Sequence, residues 1–498
     1  MRLGSLIRSI EEELVGNAPS PDLMLSSIEY DSRKVSEGAL FVAIPGETAD
    51  GHRYIPAAVA AGAAVVVGEK EPETCGVPFV KVKNARKALA LLSAAFFGNP
   101  AEKLTLIGIT GTNGKTTISY ILESILASAG HSCGVMGTVS TRFCGTEKPS
   151  AMTTPESRDI QKTLAEMVQA GVTHAVMEVS SHALAMERVT GCGFDAAIFT
   201  NLTQDHLDYH GSMESYWEMK KRLFGHLKKG AKGVINAAST HGRELIESPI
   251  CPVYAVGHAA GELTSKNIDL AIDCTTGELL TKEGAFAFKT RATGRYNLEN
   301  ILCAAGAALS IGIPMDAVIQ GIETFRVPGR LESVDNSRNL HLFVDYAHTP
   351  DALENVLSTL RSLVPGRLIS VFGCGGDRDR TKRPIMGHIG TRYSDLSVIT
   401  SDNPRTEDPH QILDDVIAGV DPSLQRLDAA GSLSPKSPKG YLVEPDRRQA
   451  IALAVHAATP GDTIIVAGKG HETYQIIGTE RIDFDDRVEV ARAVEQAT

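Results

Sequence analysis

The run Gly108-Ile109-Thr110-Gly111-Thr112-Asn113-Gly114-Lys115-Thr116-Thr117 sets glycines beside a lysine and adjacent threonines. A bound triphosphate asks for close backbone approach, inward N–H groups, a cation and a hydroxyl that helps hold magnesium. Glycines, a helix N-terminus, Lys115 and Thr116 supply these in order. The strict G-x-x-x-x-G-K-[ST] spacing fails, because Ile109 stands where the first glycine belongs; the competing reading is a plain glycine turn. Met177-Glu178-Val179-Ser180-Ser181-His182 places Glu178 at the end of a predicted strand. There a carboxylate serves either as an oxygen ligand for Mg²⁺ or as an ordinary cap or ion-pair partner. Asp205, His206, Asp208 and His210 crowd one short segment. His206 and His210 would share one helical face, but no H-E-x-x-H is present, so a site and structural histidines both stay open. Lys220, within SYWEMKKRLF, reads by itself as a solvated helix lysine.

A second group of segments lies further on. Gly373-Cys374-Gly375-Gly376-Asp377-Arg378-Asp379-Arg380 departs from G-x-G-x-x-G at Arg378, which argues against a nicotinamide site. Its Arg–Asp run suits a carboxylate or phosphate, which guanidinium grips as a fork. Asp402-Asn403-Pro404-Arg405 is either an ordinary turn or a rigid one that aims Arg405 into a cleft. In Ala467-Gly468-Lys469-Gly470-His471-Glu472 the glycines permit close backbone approach. Glu472 there either accepts hydrogen bonds from an ammonium or is a solvated charge.

These segments need elements to position them, and nearly all follow short apolar runs. LTLIGIT, HAVMEVSS, AAIFTNL and KGVINA alternate with helical stretches between residues 104 and 237, and HLFVDYA, RLISVFG, LSVITSD and DTIIVAG do the same after residue 340. The pattern predicts α/β units with mainly parallel sheets, whose ligands sit beyond the carboxyl ends of the strands. Gly261–Lys289 has the alternation of a small β-subregion, and Asn297–Leu309 reads as a helix. Breaks at Gly98-Asn99-Pro100 and Val327-Pro328-Gly329 give expected domains of 1–97, 98–329 and 330–498, in keeping with a length of about three domains. Over 498 residues, 43% are hydrophobic and 22% charged, and the net charge is −11. That balance argues against wholesale disorder, a multispanning membrane protein and a general nucleic-acid binder. The eight cysteines form no C-x-x-C pair, so reduced, packed thiols are expected. The N-terminal stretch meets three glutamates where a signal peptide needs its apolar core, so a cytoplasmic protein is expected.

Taken together, YDSR, TGTNGKTT, EVSSH, DHLDYHG, DYAHTP, GCGGDRD, DNPR and AGKGHE, in this order from Tyr30 to Glu472, resemble the Mur ligase family of peptidoglycan synthesis. The resemblance implies a three-domain architecture: an N-terminal domain for the UDP-linked substrate, a central P-loop ATP-binding domain, and a C-terminal Rossmann-like domain for the amino acid. It implies ATP-dependent ligation of meso-2,6-diaminopimelate to the D-Glu γ-carboxylate of UDP-N-acetylmuramoyl-L-alanyl-D-glutamate through an acyl phosphate. Tyr30, Ser32, Thr153, Thr154, Ser180 and Arg188 would hold the UDP-linked substrate. Gly111, Thr112, Asn113, Gly114, Lys115, Thr116 and Thr117 would cradle ATP, joined by Asn297, Asn300, Arg330 and Asp345. Thr116, Glu178, His206 and a carbamylated Lys220 would hold Mg²⁺, with Lys115, Glu178, His206 and Lys220 as the catalytic group. Arg378, Asp402, Asn403, Pro404, Arg405, Gly468 and Glu472 would grip diaminopimelate. Arg405 favours diaminopimelate over lysine, because lysine lacks the carboxylate that would pair it. Departures stand at Glu47 and Thr48, where a family member carries His-Gln, and at Met186, where it carries Gln. A monomer with no nucleic-acid or membrane partner is expected. Rival readings are a lysine-adding ligase, a folylpolyglutamate synthetase, a non-catalytic scaffold and a P-loop mechanoenzyme or switch.

Overall fold

The computed structural model describes residues 1–16, 21–46, 49–203, 205, 207–364, 366–427 and 439–497. Glu47, Thr48 and His206 lie outside the described residues. The chain divides into two compact units. The first comprises 1–265, 279–286 and 299–324; the second comprises 266–278, 287–298 and 325–498.

The first unit begins with a four-stranded parallel sheet, in order β1 (Ser27–Glu29), β2 (Ala39–Ala43), β3 (Ala63–Gly68) and β4 (Phe79–Lys81). Helix α1 (Ala85–Phe96) packs on it through Ala85, Ala88, Leu89 and Leu92, and Asn84 caps it by accepting from Lys87 N.

An eight-stranded sheet follows in the same unit. Its strands are β5 (Thr105–Thr110), β6 (Cys133–Met136), β7 (Ser140–Phe143), β8 (Thr146–Pro149), β9 (His174–Glu178), β10 (Phe194–Phe199), β11 (Leu227–Asn236) and β12 (Val253–Val256), and their spatial order is β12-β11-β10-β5-β9-β6-β7-β8. Only the β6–β7 and β7–β8 pairs are antiparallel among the pairings of this sheet. Central β5 is buried from Leu106 onward, which explains its unbroken apolar text. It runs into Gly111, and α2 (Lys115–Ser128) starts after Gly114. Ile118, Ile121, Leu122, Ile125 and Leu126 form the buried stripe of α2, at the spacing of one helical face. Strand β11 starts at Leu227, five residues ahead of the run KGVINA, because its exposed N-terminal half carries the lysines Lys228, Lys229 and Lys232. Burial alone therefore could not mark its start.

Thr264–Leu270, Thr275–Thr281 and Gly284–Thr290 form a three-stranded sheet, β13-β14-β15. The second unit is built on a seven-stranded sheet of β16 (Glu332–Ser333), β17 (His341–Asp345), β18 (Leu368–Cys374), β19 (Leu396–Ser401), β20 (Gln425–Arg426), β21 (Gly440–Val443) and β22 (Thr463–Ala467), in order β16-β17-β22-β18-β19-β21-β20. All its pairings are parallel except β16–β17. Successive residues of one strand enter different cores: Leu342 and Val344 join one cluster and Phe343 the other, as Ile369 and Val371 do against Leu368 and Phe372. Both faces are thus covered, as a parallel sheet requires. One face is covered by α3 (Arg447–Ala457) and α4 (Asp486–Gln496). The hairpin β23 (Tyr474–Ile477) and β24 (Glu480–Asp483) follows β22. Among the described residues, no helix is long and apolar enough to cross a membrane.

Candidate active site

In the first unit, the β5–α2 turn is shaped by what a side chain would strike. Gly111 (φ +145°) and Gly114 (φ +90°) both take backbone conformations that favour glycine. A Cβ on Gly111 would overlap Thr200 Oγ1, and one on Gly114 would overlap Asn300 Oδ1. The loop is pinned from β10's end: Thr200 Oγ1 donates to Asn113 O at 2.6 Å, and Asn113 N donates to Asn201 Oδ1 at 2.9 Å. Thr112 N donates to Asn201 O at 2.9 Å. Among the described residues no side chain caps the N-terminus of α2 at Gly114, and the positive end of the helix dipole lies at this turn. Lys115 folds back and donates from Nζ to Gly111 O at 2.9 Å and Thr112 O at 2.8 Å. Its charge therefore lies over the loop.

Thr116 opens α2 beside β9. Its Oγ1 donates to Glu178 Oε2 at 3.0 Å, and Glu178 is 1% exposed. Thr138 completes the shell, giving N–H to Oε1 at 3.1 Å and Oγ1 to Oε2 at 2.9 Å. Among the described residues no cation pairs with this carboxylate, although a buried carboxylate is costly without one. Hard oxygen donors around an uncompensated negative charge fit a divalent cation of the magnesium type. Thr138 was not among the candidates: a lone threonine after a strand carries no motif, and only pairing across the sheet brings it to Glu178. Thr153 Oγ1 lies 3.1 Å from Thr138 Oγ1. Thr154 Oγ1 donates to Glu178 O at 2.8 Å and accepts from Ser180 N at 3.0 Å. The paired threonines and Ser180 are thus tied to the strand end that carries Glu178.

Lys220 corrects the expectation of a solvated lysine. It is 1% exposed, with Nζ 4.2 Å from the centre of the Tyr216 ring. None of the described residues gives it a hydrogen bond or salt bridge. Burial, reinforced by the positive charge of Lys115 and partly offset by Asp205, holds its pKa well below the ordinary lysine value. The periodicity of the helix Met213–Lys221 shows that Lys220 shares a face with buried Tyr216, four residues earlier, but not that the ammonium itself is shut from water. His210 turns to Ser181, with Nε2 2.8 Å from Oγ, and its ring packs on Tyr216.

Arg188 donates from Nη1 to Thr154 O at 3.1 Å and lies 3.5 Å from Glu156. Glu156 also takes Arg86, whose guanidinium reaches Pro45 O at 2.8 Å. Neither Glu156 nor Arg86 was singled out from sequence. Tyr30 donates its hydroxyl to Asp159 at 2.8 Å. Ser32 opens a one-turn helix whose Arg33 N–H is accepted by Asp31. Met186 caps the short helix Ser181–Ala185 through its own N–H to His182 O, a backbone role that any non-proline residue fills.

In the second unit, the loops after β18, β19 and β22 converge at the carboxyl edge of the sheet. Asp402, Asn403 and Lys469 are buried there. Lys469 Nζ donates to Glu472 Oε2 at 2.9 Å and Asn403 Oδ1 at 3.1 Å, and lies 3.6 Å from Asp402 Oδ1. Asn403 Nδ2 donates to Glu472 Oε2 at 3.0 Å. Gly468 (φ +122°) bonds its N–H to Asp345 O and passes against Asp402. Gly376 leaves no room beside the carbonyl of Pro404, where a Cβ would collide. Arg405 (φ +52°) spends Nη1 on Gly376 O at 2.9 Å, so its guanidinium is held against the β18 loop. Arg378 is exposed and donates to Asp377 O at 3.0 Å. Beneath the loops, Arg447 and Asp486 form a fully buried pair at 2.7 Å, and Arg447 also donates to Ala467 O at 3.0 Å. Arg330 lies over the Tyr346 ring at 4.6 Å. Asp345 accepts Leu331 N–H and Ala347 N–H, and burial raises its pKa. Asn297 donates to Thr293 O at 2.8 Å.

Family profiles described as "Mur ligase family, catalytic domain", "Mur ligase middle domain" and "Mur ligase, glutamate ligase domain" match residues 25–97, 109–308 and 329–470. The chain is 46% identical to a UDP-N-acetylmuramoyl-L-alanyl-D-glutamate–2,6-diaminopimelate ligase of Geobacter metallireducens, covering 99% of this chain and 98% of that protein. It is 42% identical to a ligase of the same description from Geobacillus thermodenitrificans, covering 99% of each. A solved structure of a UDP-N-acetylmuramoyl-L-alanyl-D-glutamate–2,6-diaminopimelate ligase matches with a TM-score of 0.72 and 33% identity, over 100% of this chain and 99% of that one.

Proposed function

The chain belongs to the Mur ligase family, with its three-domain α/β architecture, and we propose from that premise that each site residue serves one amide-forming reaction. The reaction is the one carried in its relatives' names: the D-Glu γ-carboxylate of UDP-N-acetylmuramoyl-L-alanyl-D-glutamate is joined to 2,6-diaminopimelate. ATP transfers its γ-phosphoryl group to the carboxylate, giving an acyl phosphate and ADP. The amine attacks the acyl carbon, loses a proton, and phosphate departs as the amide forms.

The observation that carries this reading is the coupling of the phosphate loop to the buried Glu178 through Thr116 Oγ1. Both ends of a phosphoryl-transfer site are built on neighbouring strands. The loop amides and Lys115 bind the phosphates and offset their charge. Thr116 and Glu178, with His206 and Lys220, are the residues that would hold magnesium; the ion supplies electrostatic stabilisation of phosphoryl transfer. Lys220 enters that set only as a carbamate, formed when its neutral amine takes up CO₂ and becomes an oxygen ligand. Burial of the amine, which lowers its pKa and so favours the neutral form, supports this assignment. Thr153, Thr154, Ser180 and Arg188, with Tyr30 and Ser32, take the UDP-linked substrate. Asn297, Asn300, Arg330 and Asp345 are assigned to the nucleotide.

Arg378, Asp402, Asn403, Pro404, Arg405, Gly468 and Glu472 take the amino acid, so that the protein mainly positions its reactants. The domain limits of this proposal are 1–97, 98–329 and 330–498, and the protein works as a cytoplasmic monomer without nucleic-acid or membrane partners. The test is product analysis by mass spectrometry with UDP-linked dipeptide, ATP, and diaminopimelate competing against lysine. Diaminopimelate product is expected to dominate, and Arg405→Ala is expected to shrink the preference by about tenfold or more, because the wild-type guanidinium repays a carboxylate that lysine lacks. A wild type that makes no tripeptide product, or prefers lysine, overturns the reading.

A further inference from the structure

Lys469 is wholly shut from solvent, yet it touches three of the residues assigned to the amino acid: Glu472, Asn403 and, at longer range, Asp402. Its effect on each is specific. Asn403 Oδ1 accepts from both Lys469 Nζ and Ile476 N–H. That fixes which way the amide faces and leaves Nδ2 to donate to Glu472. Glu472 Oε2 is taken up by Lys469 and Asn403, so its other oxygen is the one left for a ligand. Asp402 Oδ1 is buried and accepts no hydrogen bond; at 3.6 Å from Nζ it is an ion-pair neighbour only.

Charge adds a second constraint. Asp402 and Glu472 bring two negative charges and Lys469 one positive, while the adjoining Arg447–Asp486 pair is neutral. Among these groups one negative charge is in surplus, which matches an arriving ammonium, while Arg405, held on the carbonyls of Gly376 and Asn403, adds a positive charge on the side meant for a carboxylate. Without Lys469 the surplus would double among buried groups, the two carboxylates would turn apart, and Asn403 would be free to flip.

We propose that Lys469 is a positioning residue for the amino-acid substrate: it orients Asn403 and Glu472 and trims the pocket's charge to what one ammonium neutralises. The inference rests on the functional reading above and extends it to a residue that reaches the substrate only through others. The test is steady-state ligation by the full-length chain, varying diaminopimelate at saturating ATP and UDP-linked dipeptide. Lys469→Met is expected to raise the KM for diaminopimelate by about thirtyfold or more, the usual cost of stranding a buried charge partner. kcat and the KM values for ATP and the UDP-linked substrate should stay within about twofold.

Lys469→Gln, which keeps a hydrogen-bond donor without the charge, is expected to fall between wild type and Lys469→Met. Lys469→Ala is expected to regain diaminopimelate affinity when ethylammonium is added, since the missing cation then returns as a free one. A purely structural lysine would instead depress every kinetic constant together with thermal stability and would not respond to ethylammonium. That result, or an unchanged KM, overturns the proposal while wild-type ligation leaves the functional reading standing. A wild type without ligation overturns that reading first.

Discussion

An amine held away from water beside another cation gives up its proton readily, and Lys220 meets both conditions. A protonated amine cannot take up CO₂, so the lowered pKa works in favour of the carbamate proposed for Lys220. Lys220→Ala should abolish tripeptide formation, by about a hundredfold or more as for loss of a preorganised charge, with circular dichroism unchanged. ADP release at the wild-type rate from that variant would remove Lys220 from the reaction. Residues differ widely in how far sequence alone exposes them. Lys115 and Thr116 follow from the spacing of one loop. Lys220 looks like any helix lysine until tertiary packing buries it. Lys469, flanked by glycines that suggest an open turn, lies at the bottom of the cluster. A residue's charge is visible in the text, whereas its desolvation depends on how the rest of the unit packs around it.

Loops at the ends of parallel strands do most of the positioning, and their glycines mark where backbone meets backbone or side chain. Gly114 combines a left-handed conformation with a missing Cβ that Asn300 occupies. Gly114→Ala should therefore raise the KM for ATP at least about tenfold and destabilise the fold by roughly 1–3 kcal/mol through backbone strain; ATP titration and thermal melts check the two effects separately. Central strands such as β5, β18 and β22 are readable because they are buried on both faces and so written in apolar residues, whereas half-exposed β7 and exposed β8 carry no such pattern. Strand order was not readable: β22 lies between β17 and β18 although it comes last of the three in sequence, and no local pattern encodes that insertion. Thr138, Glu156 and Arg86 escaped notice for the same reason, since their partners are chosen by topology.

At the scale of the molecule, two compact units carry two different sets of chemistry. The first holds the phosphate loop and Glu178. The second gathers the loops assigned to the amino acid over the Arg447–Asp486 pair, whose side chains are both fully buried. Removing one member leaves the other charged in a dry interior. Asp486→Asn should cost about 3–5 kcal/mol, read as a lower denaturant midpoint for the second unit. The same variant is expected to raise the KM for diaminopimelate, because Arg447 also holds the carbonyl of Ala467 at the start of the loop that carries Lys469 and Glu472.

Asp486 is the first residue of the helix that runs to Gln496, so this helix matters more than its distance from the chemistry suggests. A nonsense allele just ahead of position 486 would translate every residue assigned to substrate and still strand a guanidinium beneath them. Genetic screens should score such truncations as complete nulls, alongside lesions in the phosphate loop.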